Sequence, residues 1–226
     1  MNEVDVSVDA SYPRQLQQAC QLLDYLIRTE NRDPSNVDRH HAHQKRQRTN
    51  IFQIILAGDS AGANLALAIL SHILHPHPHV PPLTLTNPLR GVGLISPWVT
   101  FDTDKTQSMQ LNRYKDALDA GVLHRWSTQF RGSAPTDPYM EPLSAPEGWW
   151  QGLPAKDVLI TAGDDEIFLD DIEEMARRLQ AVHPKTKICV LEDETHNHMV
   201  MELTLREDKS ETRLTFEKWV CSVLAD

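Results

Sequence analysis

The sequence predicts an α/β fold: a mostly parallel sheet with helices on both faces. Three observations point there. Short, nearly continuous apolar runs recur at residues 51–57, 91–96, 158–162 and 188–191, and such runs suit strands buried on both faces of a parallel sheet. Between them lie stretches whose apolar residues recur at helical spacing. The pentapeptide Gly58-Asp59-Ser60-Ala61-Gly62 sits where one apolar run ends and a helical pattern begins. Small residues belong at such a crowded strand-to-helix junction.

Taken in order, Val4, Val6 and Val8 alternate with polar residues, as in a short strand. Pro13 opens a helix in which Leu16, Ala19, Cys20, Leu23, Leu26 and Ile27 share one face through about Thr29. Residues 31–50 are polar and include the run Arg39 to Arg48, so an exposed basic loop is expected. A strand follows at 51–57, then a helix from Ala61 to His75, which the His/Pro tract ends because successive prolines cannot continue a helix. Gly91–Ser96 reads as a strand stopped by Pro97. Residues 102–150 read as irregular and aromatic-rich, with Trp126, Trp149 and Trp150. Strand Val158–Ala162, helix Ile167–Ala181, strand Ile188–Leu191 and helix Leu214–Leu224 complete the chain. No internal repeat is present, and residues 1–226 are expected to form a single domain.

Apolar and charged contents of 40% and 24% are those of a globular protein. A net charge of −10 argues against a nucleic-acid partner. Cys20, Cys189 and Cys221 sit in apolar stretches and read as buried free thiols of a reducing compartment. The N-terminus has no basic and apolar leader pattern, and no apolar run reaches the roughly 18 residues that span a bilayer. A cytoplasmic protein without a membrane span is therefore expected.

Ser60 is the candidate nucleophile. Gly58 and Gly62 would let strand and helix approach, and the helix start would aim the Ala61 N–H at a developing oxyanion. A serine hydroxyl needs a base, and the base needs an orienting acid. Both follow in the order Ser, acid, His, each after a predicted strand. Asp164, Asp165 and Glu166 come after "VLITA", and His196 comes after "ICVLE", with His198 as an alternative. The residues alone leave open which carboxylate is the acid.

The chain resembles the hormone-sensitive-lipase-like branch of the α/β-hydrolase superfamily, especially its fungal esterases and steryl acetyl hydrolases. "GDSAGANLALAILSH", "LISPWVTFD", "DPYMEPL" and "SYPRQLQQACQLLDYL" carry the likeness. The resemblance implies an α/β-hydrolase fold with Ser60 as nucleophile and His196 as base. By the family pattern, counting forward from the strand favours Asp165, while counting back from Asp170-Asp171 turns the acid toward Glu166. It also implies a cap-like insertion at 102–150 whose tryptophans line an acyl or alcohol pocket, a small-molecule ester substrate, and no cofactor. The family's H-G-G-G segment, the second source of oxyanion donors, has no counterpart before Gly58. The first strands of the fold are missing too, so an N-terminally truncated and impaired esterase is expected. The alternative is a non-catalytic scaffold that binds a ligand or partner. Metal binding at His72, His75, His77 and His79, or at His40, His41 and His43, is disfavoured because prolines separate the first set and no ligand spacing completes either. Oligomeric state is not legible.

Overall fold

A computed structural model describes residues 10–30, 54–206 and 208–225. The expected strand at Val4–Val8, the basic loop at 31–50 with its three histidines, and the first residues of the 51–57 run lie outside these. The chain runs α1 (Arg14–Glu30), β1 (Ile55–Asp59), α2 (Ala61–Leu74), β2 (Gly91–Ile95), α3 (Gln107–Leu111), α4 (Ala120–Arg131), β3 (Val158–Gly163), α5 (Leu169–Val182), β4 (Thr186–Leu191), α6 (His198–Leu205) and α7 (Glu211–Ala225). The described strands form one parallel sheet in the order β1-β2-β3-β4.

The two central strands, β2 and β3, are buried along their whole length. Val92, Leu94, Val158, Ile160 and Ala162 join the main core with α1, α2 and α5. Leu159 faces the other way, against Trp219 and Val223 of α7. Alternation along a strand sends neighbours to opposite faces, so helices cover both sides, as the apolar runs predicted. The second face is tight: a Cβ on Gly93 would come within 2.6 Å of Phe216 and 3.1 Å of Trp219.

Several expectations change. β1 is not buried on both faces: Ile55 and Leu56 are half-buried, and Ala57 and Asp59 are exposed. Among the described residues it pairs with β2 alone. Residues 102–150 are not irregular. They hold α3, capped by Thr106, and α4, capped by Asp119, whose carboxylate accepts from Gly121 N and Val122 N. An N-cap satisfies helix N–H groups that have no partner within the helix. Helix α6 lies in a stretch for which the sequence reading assigned no element. Of the thiols, Cys20 is buried and its pKa is pushed up to about 12 by burial, but Cys189 is half-buried and Cys221 exposed. Cys221 falls off the inward stripe of α7 that Trp219 and Val223 form.

Candidate active site

The sharp turn between β1 and α2 is built by backbone crowding. A Cβ on Gly58 would lie 2.4 Å from the backbone carbonyl of Gly62, so no larger residue fits there. Gly62 itself has room, with Asp59 Oδ1 at 3.9 Å as its nearest neighbour. The expected need for two small flanking residues thus reduces to Gly58. Ser60 takes φ 50° and ψ −113°, a sparsely populated conformation held by its surroundings. Its N–H donates to Ile95 O at 2.9 Å, and its carbonyl accepts from Asn64 N and Trp98 N. The Ser60 hydroxyl does not cap α2.

The ends of β2, β3 and β4 converge nearby. Gly163, the last residue of β3, admits no side chain, because a Cβ there would sit 1.9 Å from Glu194 O. That close approach brings the acidic turn against the loop carrying His196. Glu166 is fully buried and His196 nearly so. His196 Nδ1 lies 3.3 Å from Glu166 Oε2, at the long end of a hydrogen bond. A carboxylate only accepts, so in this contact Nδ1–H is the donor. Glu166 Oε1 accepts from Gly163 N at 2.8 Å and from the Ser96 hydroxyl. A buried carboxylate needs such partners. The edge of the His196 ring meets Phe168 at 5.2 Å between centroids.

The other sequence candidates fall differently. Asp165 points outward and pairs with Lys115 at 2.5 Å. Asp164 accepts from Asp193 N, bracing the same two turns. Asn197, in left-handed conformation after His196, donates Nδ2 to Asp59 Oδ2 at 3.1 Å and its backbone N–H to Ser96 Oγ. The turn of Ser60 and the loop of His196 are therefore tied through Asp59. Ser96, Asn112 and Asp116 belong to this assembly although sequence reasoning missed them. Asn112 Nδ2 donates to Asp164 O and Glu166 O, and Asp116 accepts from His196 N and Ile167 N. The only sequence signal was their place within or just after motif-bearing segments.

Beside Ala61 and Gly62 opens a cavity of about 510 Å³, walled by Tyr12, Trp98, Phe101, Trp126, Phe130 and Tyr139. Among the described residues, no charged side chain lines it. The quoted motifs meet around it: Asn64 of α2 donates to Trp98 O and Met140 O, Tyr12 donates to Asp137, and Glu141 accepts from Phe101 N. Of the three tryptophans expected to line a pocket, Trp126 does so. Trp149 instead stacks on His75, and Trp150 is buried in the core. His72 bonds Pro81 O and His77 N, and His75 bonds Trp149 O. No described His, Cys, Asp and Glu side chains gather as a metal-binding group, and no described helix is long and apolar enough to cross a membrane.

Over 138 residues the chain is 33% identical to an esterase of Acinetobacter venetianus strain RAG-1, a match covering 58% of this chain and 40% of that protein. Its fold is similar to a hormone-sensitive lipase from a metagenome library, with a TM-score of 0.72, 19% identity, and coverage of 99% of this chain and 64% of that one. It is similar as well to EstE5, soaked with p-nitrophenyl butyrate, with a TM-score of 0.71, 20% identity, and coverage of 96% and 63%. The chain thus spans two fifths of the curated relative and under two thirds of these structures. The sequence profile of the alpha/beta hydrolase fold family matches residues 6–200. With the parallel sheet, the crowded turn at Ser60 and this match over most of its length, the chain belongs to the alpha/beta hydrolase fold family.

Proposed function

We propose that this chain is a serine ester hydrolase working through Ser60, His196 and Glu166. The observation that carries the reading is the contact between Glu166 and His196, both buried, at the ends of β3 and β4. Ser60 Oγ attacks the ester carbonyl and its proton passes to His196 Nε2. Glu166 keeps the other imidazole proton on Nδ1 and stabilises the imidazolium that forms. The tetrahedral oxyanion forms at the start of α2, where the Ala61 N–H has no partner within the helix. The imidazolium then protonates the leaving alcohol, and a water activated by the same base hydrolyses the acyl-enzyme.

Asp165 is set aside as the acid because it is engaged with Lys115 on the outer side of the turn. The uncharged aromatic cavity beside Ala61 favours esters with an apolar group over charged substrates.

A fluorophosphonate probe tests the reading. Labelling at Ser60 that disappears in Ser60→Ala is the expected result. No labelling of the unsubstituted chain would leave the second reading, a hydrolase scaffold that binds without catalysis. Turnover of a short p-nitrophenyl ester that disappears in Ser60→Ala is the matching catalytic result.

A further inference from the structure

Asp116 lies outside every helix and strand, in the turn after α3, and is half-buried. Its two oxygens collect three backbone N–H groups. Oδ1 accepts from His196 at 3.1 Å and from its own neighbour Ala117 at 2.6 Å. Oδ2 accepts from Ile167 at 2.7 Å. One carboxylate therefore spans the backbone N–H of His196 and that of the residue directly after Glu166.

We propose that Asp116 is a positioning residue that sets the separation of Glu166 and His196. The proposal rests on the roles assigned to those two residues above. Asp116 itself is held in place, because Lys115 N and Asp116 N both donate to Asn112 O, and the Asn112 amide donates to Asp164 O and Glu166 O. The turn at 112–116 thus grips the acidic turn at two carbonyls and one N–H, and the histidine loop at one N–H. The groups facing His196 are the Glu166 carboxylate at Nδ1, the Phe168 ring at its edge and the Asp116 carboxylate at its backbone. With Nδ1 and Oε2 already 3.3 Å apart, further separation breaks the bond, since hydrogen bonds fade beyond about 3.5 Å. A carboxylate is required, because every donor it meets is an N–H. An asparagine would turn its own NH₂ toward one of them.

Two readouts test this. Nitrogen-15 NMR reports the His196 tautomer without needing turnover, and the rate of fluorophosphonate labelling reports the reactivity of Ser60. In the unsubstituted protein His196 should hold its proton on Nδ1, and Glu166→Gln should abolish that preference. Folded Asp116→Asn should shift His196 toward the Nε2–H tautomer and slow labelling by about 10–10²-fold, the scale of a small misplacement. Unchanged tautomer and labelling in Asp116→Asn, with Glu166→Gln still altering both, would overturn the positioning role alone. An unchanged tautomer in Glu166→Gln would instead sink the assignment of the acid on which it rests. Should Asp116→Asn fail to fold, Asp116→Glu carries the test. It keeps the charge but overshoots by one methylene, so the same tautomer shift is expected, and a signal identical to the unsubstituted protein overturns the proposal.

Discussion

Glu166 and Asp165 are adjacent carboxylates with opposite surroundings. One is buried among a hydroxyl, a backbone N–H and an imidazole, and the other pairs with an exposed lysine. Glu166→Gln should therefore lower esterase rate or probe labelling far more than Asp165→Asn, in the direction of the roughly 10⁴-fold loss known for triad acids. Equal small losses, measured side by side on one ester, would count against Glu166. The sequence pointed to an acid in this turn, through motif and chain order, and the proposed acid lies there. It did not decide which of two neighbours turns inward. That depends on the Gly163 backbone meeting Glu194 O and on Lys115 arriving from a distant segment, neither of which has a local signature. Ser96, Asn112 and Asp116 were illegible for the same reason: their partners are mostly backbone groups of other loops.

Elements with a strong period were the readable ones. Helices α1, α2, α5 and α7 and the buried strands β2 and β3 follow from spacing and apolar runs, to within a few residues at their ends. Helix α4 was missed although Asp119 caps it and Gly132 follows it, because its apolar residues are few and shared with a loop-rich region. Helix α6 was missed because it is one short span after a polar loop. The partial exposure of β1 also escaped, since an apolar run does not reveal how well a strand is covered. Packing between elements gives a sharp expectation. Gly93→Ala drives a methyl into Phe216 and Trp219 of α7, and overpacking of this kind costs about 1–3 kcal/mol. A urea melt should show a lower midpoint with unchanged slope, and a midpoint equal to the parent's would mean that α7 yields freely.

Across the whole molecule, stability should depend on pH through a buried carboxyl at the start of α5. Asp171, in the first turn of α5, is 8% exposed and leaves Oδ2 buried without a partner. Burial, with the charges of Asp170 and Asp102, raises its pKa from 3.8 to about 6. The folded state thus holds a proton that the unfolded state releases, so the contribution of this group falls as pH rises from about 4 to 6 and stays lost above that. At about 1.4 kcal/mol per pKa unit the loss is about 2–3 kcal/mol. Asp171→Asn should melt higher than the parent at pH 8 and no higher at pH 4. A uniform change at both values would refute the titration.

Ser60 is carried at the end of a strand that is half-exposed and, among the described residues, paired on one side only. The proposed acid and base, Glu166 and His196, follow β3 and β4, beyond the fully buried β2. Half-exposed segments open at lower free energy than buried ones. On the proposed roles, the nucleophile belongs to a less protected part of the protein than the pair that activates it. Under rising denaturant, Ser60 reactivity should fade while the fluorescence of the buried Trp150 and Trp219 still reports an intact core. Function would then fail by fraying, well before the fold melts.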